Sequence, residues 1–324
     1  MRSPRFWETE GWLSVALAPL SLLWATGGRL HRALAKPYQA AIPVICVGNL
    51  VVGGTGKTPV TLAIAEYLKS QGMRPHLLSR GYGSTAKGPT LVDSLRHDAT
   101  KVGDEALLLA AVAPTWVGGN RVASARAAEA AGATCLILDD GLQNPTLEKD
   151  LSLIVIDGGY GFGNGHLVPA GPLREPIKEG LRRASAVVLV GRDGTRVEQT
   201  LAKQVPILRG RLVPTGSLEV LADKRVLAFA GIGRPTKFFE MLSEADLKVV
   251  KAYDFSDHHP YREAEVEALL ETAAALDAVP VTTAKDAMRL SARLRERVHI
   301  IPVRFLWEDA DAIMAMLHSV LPNT

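Results

Sequence analysis

Gly53, Gly54, Gly56, Lys57 and Thr58 stand together in VVGGTGKTPV (51–60), directly after the apolar run 44–47. A phosphate cradle needs backbone N–H groups turned inward, which glycines allow, and the positive end of a helix. It also needs a lysine as a point charge and a Ser/Thr hydroxyl for Mg2+. The strict pattern G-x-x-x-x-G-K-[ST] would place glycine at 51, where this chain has Val51, so the loop is a variant P-loop. Its nucleotide-binding set is Val51, Val52, Gly53, Gly54, Thr55, Gly56, Lys57 and Thr58. A turn that uses glycine only for its geometry is the alternative, and the lysine and threonine that follow argue against it.

Four other stretches carry reactive side chains. LILDDG ends an apolar run in Asp139 and Asp140, the usual companion of a P-loop, because a carboxylate there reaches the metal shell; either of the two acids could be that ligand. VGDEALLLA puts Asp104 and Glu105 at a helix start, where acids are favoured by the macrodipole whether or not they do chemistry. DFSDHHPY places Asp257, His258 and His259 before a helix, as a general base with its partner or as a solvated loop. PAGPLREP packs three prolines around Arg174 and Glu175, a rigid loop of the kind that positions functional side chains.

The elements that must hold these residues alternate. Strands are expected at 42–47, 75–79, 115–117, 134–138, 151–156 and 186–190, and helices at 57–70, 104–112 and 121–131. Pro59 falls in the first turn of its helix, where a missing N–H does no harm. Strands that are apolar throughout, alternating with helices, predict an α/β fold, a parallel sheet covered on both faces. The pattern loosens over 205–213, and a second α/β series begins at 225. Its helices are expected at 236–242, 262–275, 286–293 and 309–317, its strands at 225–230, 248–253, 279–283 and 299–303. The expected organisation is an amphiphilic segment over 1–40, a P-loop core over 41–215 and a smaller α/β unit over 216–324.

Composition agrees with a folded protein of this size: 324 residues, 47% hydrophobic and 22% charged. A net charge of +3, without a dense Lys/Arg run interleaved with aromatics, gives no reason to expect nucleic acid as a partner. Cys46 and Cys135 lie in apolar runs and read as core residues of a reducing compartment, with no zinc spacing. The run 12–25, WLSVALAPLSLLWA, is shorter than a bilayer span and contains Pro19. Arg2 and Arg5 precede it, and Arg29, Arg32 and Lys36 follow. A secretory signal would need a cleavage site and suits an ATP-using protein poorly. A buried core helix and an interfacial helix with tryptophans at the headgroup level remain, and the cationic flanks favour the second.

Taken together, VGNLVVGGTGKTPV, LSRGYG, VGDEALLLA, DDGLQNP, NGHLVPAGPLREP, FSDHHPY and TTAKDAMRL resemble the tetraacyldisaccharide 4′-kinase (lipid A 4′-kinase, LpxK) family, in that family's order and across about 44–290. The resemblance implies a P-loop core joined by a two-stranded connection to a smaller C-terminal α/β domain. It implies transfer of the γ-phosphate of ATP, with Mg2+, to the 4′-hydroxyl of a tetraacylated glucosamine disaccharide 1-phosphate. The expected setting is the cytoplasmic face of the bacterial inner membrane, the protein lying peripheral or shallowly inserted and monomeric. Lys57 would neutralise phosphate charge, and Thr58, Asp139 and Glu175 would form the metal shell. Asp104 would be the base, paired with His258. Arg80, Tyr82, Arg121, Gln143, Asn144 and Arg174 would contact substrate or phosphate. The family often has histidine where this chain has Asn144, and asparagine does not titrate near neutral pH, so only a positioning role is expected there. Two rivals keep the P-loop: a soluble kinase or ligase of a small metabolite, and a nucleotide switch. The guanine-type NKxD signature is missing.

Overall fold

The computed structural model describes residues 4–321 except 202 and 217; Arg2 and the extreme ends of the expected first and last segments lie outside the described residues. The first α/β series builds one sheet. Its parallel strands are β1 (Val44–Gly48), β2 (Pro75–Ser79), β4 (Thr115–Val117), β5 (Cys135–Asp139), β6 (Leu151–Asp157), β7 (Ala186–Val190) and β8 (Ile207–Pro214), and the short β3 (Thr90–Leu91) runs antiparallel along β4. With β13 (Val303–Trp307) the sheet has nine strands in the order β13-β8-β7-β6-β1-β5-β2-β4-β3. Neighbours along each strand point to opposite faces. Val44 and Cys46 therefore join one core with Leu136, Leu138, Ile154 and Ile156, whereas Ile45 and Val47 join the other with Ile137, Leu153 and Val155. Helices cover both faces, which is why β1, β2, β5, β6 and β7 are buried at every position. On one side α2 (Lys57–Ser70) inserts Val60, Ile64, Ala65 and Leu68; on the other α5 (Arg121–Ala130) inserts Ala125 and Ala128.

The chain leaves β1 toward β2 on one side and later fills β6, β7 and β8 on the other. β1 therefore sits at the point where strand order reverses, and the crevice beyond its carboxyl end is where open α/β sheets bind ligands. The P-loop lies there. Register brings Val47 of β1 opposite Asp139 of β5, so the acid that ends β5 is level with the start of the loop.

The second series forms a smaller parallel sheet in the order β10-β9-β11-β12, with β9 (Arg225–Ala230), β10 (Lys248–Asp254), β11 (Ala278–Thr283) and β12 (His299–Ile301). Its helices are α8 (Pro235–Glu244) and α9 (Glu263–Ala275), with α8 contributing Phe238 and Leu242 to one core and α9 contributing Val266 and Leu269 to the other. Two expectations change here. The helix expected over 286–293 is two short turns, α10 (Ala284–Ala287) and α11 (Ala292–Arg295), the first capped by the Thr283 hydroxyl, which accepts from Asp286 N. The strand expected over 299–303 divides at Pro302, which has no N–H to continue a ladder. Beyond it β13 crosses to pair antiparallel with β8, and α12 (Ala310–His318) packs Ile313 and Leu317 beside Phe305 in the core of the large sheet. β8 and β13 are thus a two-stranded connection, and the last segment of the expected 216–324 unit belongs physically to the first sheet.

Residues 12–34 form one helix, α1 (Trp12–Leu34), continuous through Pro19 and longer than the apolar run alone foretold. By length and composition it is long enough to cross a membrane. Its orientation is inverted relative to a core helix: Ser14, Ser21 and Ala25 are buried, while Trp12, Val15, Leu22, Leu23 and Leu34 are each at least two-thirds exposed. The polar side is fixed to the rigid loop 164–176. Ser21 Oγ donates to Leu167 O at 2.8 Å, Asn164 Nδ2 to Ser14 Oγ at 2.9 Å, and Trp24 Nε1 to Arg174 O at 2.8 Å.

Candidate active site

Gly53 and Gly56 take positive φ, 114° and 91°, so the loop can turn its amides inward before α2 opens at Lys57. Asn49 braces the loop, its Nδ2 lying 3.3 Å from both Gly53 O and Thr55 Oγ1. Val51 and Val52 are tied to the 164–176 loop: Val51 bridges Leu173, and Val52 N donates to Pro172 O at 2.8 Å. At the start of α2, Thr58 Oγ1 donates to Asp139 Oδ2 at 3.3 Å and Thr61 Oγ1 to Asp139 Oδ1 at 3.1 Å. The neighbouring Asp140 faces the cations instead. Lys57 Nζ lies 3.9 Å from its Oδ1, and Arg174 Nη1 donates to both oxygens at 2.7 and 2.9 Å.

The two adjacent acids therefore differ. Burial raises both, but Lys57 and Arg174 outweigh it at Asp140 and hold that carboxyl at about 2. Asp139 is pushed up to about 7 by burial, with the charges of Glu105 and Asp140 adding and Lys57 only partly opposing. A buried carboxylate short of positive charge, with a threonine hydroxyl on it, fits an oxygen-seeking cation. The same imbalance has a consequence for stability. Between 3.8 and about 7 the folded chain holds a proton on Asp139 that the unfolded chain has released, so this group's contribution falls as pH rises through that window. Asp139→Asn is accordingly expected to gain on the parent as pH rises through that window, melting a few degrees above it at about pH 8.5 and coming closest to it at the acid end, near about pH 4. A difference that does not change with pH would contradict this assignment of the buried charge.

Glu175 is 2% exposed, and its hydrogen bonds run to Arg183 and Gln143 while Thr58 bonds Asp139. Arg183 Nη2 donates to both its oxygens at 2.7 and 2.6 Å, Gln143 Nε2 donates to it at 3.0 Å, and Arg32 of α1 lies 3.6 Å away. Gln143 also donates to Asn49 O at 2.8 Å, and Arg174 reaches Gln143 Oε1 at 3.4 Å. Glu175, Gln143 and Arg174 thus form one network behind the P-loop. Arg121 is buried, its Nη1 donating to Ser79 O at 3.0 Å and Gly118 O at 2.5 Å. Asn144 Oδ1 accepts from Thr146 N and Oγ1, a local turn. Arg80 and Tyr82 are exposed, and the Tyr82 ring stands 5.2 Å from that of His258.

The second unit reaches this site at two places. Gly233, in the turn between β9 and α8, lies so close that a Cβ there would sit 2.4 Å from Gly54 N. Beside it Arg234 and Lys237 meet Asp157, at the end of β6, at 2.9 and 3.0 Å. The other contact is with α4 (Asp104–Ala110), whose first residue is buried. His258 Nδ1 is 3.0 Å from Asp104 Oδ2, and Arg289 Nε lies 3.0 Å from the same oxygen. Asp104 Oδ1 accepts from Glu105 N at 2.8 Å. Burial would raise Asp104, but the hydrogen bond with His258 and the charges of Lys285 and Arg289 hold it at about 2. His258 itself sits at φ 56°, a left-handed conformation uncommon for a non-glycine residue, its N–H donating to Gly231 O. Lys285 and Arg289 have no role in the sequence reading, although TTAKDAMRL contains both. Only the fold places them beside a residue some 180 positions away.

A P-loop at the switch point of a parallel sheet, a threonine–carboxylate pair beside its lysine and a second α/β unit completing an acid–histidine pair define a P-loop phosphotransferase core. The model of the family described as Tetraacyldisaccharide-1-P 4′-kinase matches residues 13–322. The chain is 50% identical to the tetraacyldisaccharide 4′-kinase of Rhodospirillum centenum, over 99% of this chain and 97% of that one. It is 49% identical to the protein of the same name from Paramagnetospirillum magneticum, over 98% of each. A crystal structure of LpxK from Aquifex aeolicus in complex with ATP superposes with a TM-score of 0.75 at 25% identity, covering 96% of this chain and all of that one. The chain belongs to the tetraacyldisaccharide-1-P 4′-kinase family.

Proposed function

We propose that this chain transfers the γ-phosphoryl group of ATP to the 4′-hydroxyl of tetraacyldisaccharide 1-phosphate, the lipid being presented at the cytoplasmic face of the inner membrane. The observation that carries the reading is the pairing of Asp104 with His258 across the two units, which also meet where Gly233 approaches Gly54 of the P-loop. A hydrolase would need water there, whereas a second unit seated on Gly54 and Asp104 restricts it. In the reaction the 4′-oxygen bonds to the γ-phosphorus, the bond to the β–γ bridging oxygen breaks, ADP leaves, and the hydroxyl proton passes to Asp104. Two lone-pair positions of that carboxylate accept from His258 and the Glu105 amide, which leaves positions for the acceptor hydroxyl. A base at about 2 is weak, and a loose transition state, in which the hydroxyl keeps its proton until late, asks little more of it than orientation. Lys57 and the P-loop amides bind the phosphates. Arg174, Gln143 and Glu175 hold Asp140 and through it the lysine. Thr58 and Asp139 would hold Mg2+, which when bound offsets phosphate charge. Tyr82 and Arg80, exposed on the loop after β2, would contact the acceptor, and the buried Arg121 would brace that loop through Ser79 O.

The test is acceptor dependence. ATP consumption by the purified chain in detergent micelles is expected to rise at least about tenfold when the disaccharide 1-phosphate is added. Equal consumption with and without it would favour a nucleotide switch. The outward apolar face of α1 speaks for a membrane-surface enzyme over a soluble kinase of a small metabolite. Burying a leucine is worth about 1.5–3 kcal/mol, so Leu22→Glu with Leu23→Glu is expected to lower binding to anionic vesicles by at least about tenfold. Unchanged co-sedimentation would remove α1 from the membrane contact.

A further inference from the structure

The groups facing His258 come from four places. Asp104 of α4 lies 3.0 Å from Nδ1, and Asp257 of its own loop 3.8 Å from Nε2. The Tyr82 ring covers one side from the loop after β2, and Lys285 of α10 approaches from the other, its Nζ 3.2 Å from Nε2. One contact further out, Lys285 Nζ meets Glu105 Oε1 at 3.0 Å and Asp257 Oδ1 at 3.5 Å, and Arg289 braces Asp104. Glu105, Asp104 and Asp257 together outweigh the burial of Lys285 and keep it an ammonium.

An ammonium has donors only. At hydrogen-bond distance from Nε2 it requires that nitrogen to be the acceptor, and the ring proton must then be on Nδ1, facing Asp104. We infer that Lys285 is a positioning residue that keeps Nε2 of His258 bare, so that the imidazole is a neutral donor to Asp104 and the acceptor's proton is directed to that carboxylate. The same ammonium spans the units, from α10 to Glu105 of α4, so its contact with Glu105 is made only when the second unit is seated on the first. Without Lys285 the ring would lie between the carboxylates of Asp104 and Asp257, an arrangement that draws a second proton onto Nε2. The inference rests on reading Asp104 with His258 as the acceptor-side pair.

The test is the nitrogen spectrum of the full chain, labelled with 15N-histidine in detergent micelles at about pH 7.5, with His258→Gln used to assign the signal. The expected spectrum of the parent has a proton on Nδ1 and none on Nε2. In Lys285→Met the His258 signal is expected to move to the doubly protonated pattern, with kcat lowered about 10–100-fold and the KM for ATP within about threefold. Lys285→Arg, which also offers only donors, is expected to keep Nε2 bare. A parent spectrum with the proton on Nε2 would overturn the inference, and needs no variant to fold. An unchanged His258 signal in folded Lys285→Met would overturn it equally. The reading of Asp104 as the base fails separately, through wild-type transfer by Asp104→Asn, and that result leaves the spectra to decide the role of Lys285.

Discussion

Asp104→Asn is expected to lower kcat by about 10³-fold, roughly 4 kcal/mol of transition-state stabilisation, while the KM for ATP stays within about threefold. The amide is close to the carboxylate in shape, so α4 and its capping glycine have no reason to move. What changes is charge and direction. Asp104 Oδ2 receives His258 Nδ1 at 3.0 Å with Arg289 Nε at the same distance, and a side-chain NH2 in that place would present a donor to donors. The acceptor hydroxyl would lose both its aligned partner and the destination of its proton. ATP binding uses the P-loop, whose residues make no hydrogen bond to Asp104, and should hold. Isothermal titration with ATP beside a transfer assay separates the two effects. Equal losses in affinity and turnover would make Asp104 a nucleotide ligand.

Lys57→Ala is expected to reduce turnover by at least about 10²–10³-fold, because charge that spreads over the phosphoryl oxygens in the transition state loses its fixed cation. Here the structure adds a point that a motif cannot. Lys57 lies 3.9 Å from Asp140, whose two oxygens are also held by Arg174. Removing the lysine leaves Asp140 paired, so the fold should survive with little loss, and the defect should lie in kcat and in the hold on ATP. Arg174→Ala, by contrast, frees Asp140 to draw Lys57 away from the phosphates and is expected to give a smaller loss of the same kind. Near-parental rates in Lys57→Ala, with a melting temperature unchanged, would remove the loop from the chemistry.

Much of this site is legible in the chain because its signals are local. GGTGKT after an apolar strand, DDG at the end of another and the continuous apolar strands each declare themselves within about ten residues. The partnership of Asp104 with His258 is not local. The two are separated by 154 positions, and without a resemblance to a family each is as well explained by a helix dipole or a solvated loop. Glu175 differs in kind. Its expected metal role comes from the resemblance to a family and not from spacing, and its ion pair with Arg183, eight positions on, was not read from the sequence. The return of β13 to the large sheet was hidden as well. Of VRFLW only Val303 lies in the strand expected over 299–303, and a short apolar run does not identify the strand it pairs with. α1 is longer than its local signals suggest because Pro19 weakens the local case for a helix, whereas its dock on the 164–176 loop and the ion pairs of Arg29 and Arg32 with Glu179 fix it along its length.

The most direct measurement is transfer of label from [γ-32P]ATP to tetraacyldisaccharide 1-phosphate in micelles, followed by location of the new phosphate on the sugar. The account predicts one labelled monoester per lipid, at the 4′ position, formed by the parent and almost absent with Asp104→Asn. Label released only as inorganic phosphate, or passed to a water-soluble sugar as readily as to the lipid, would contradict it.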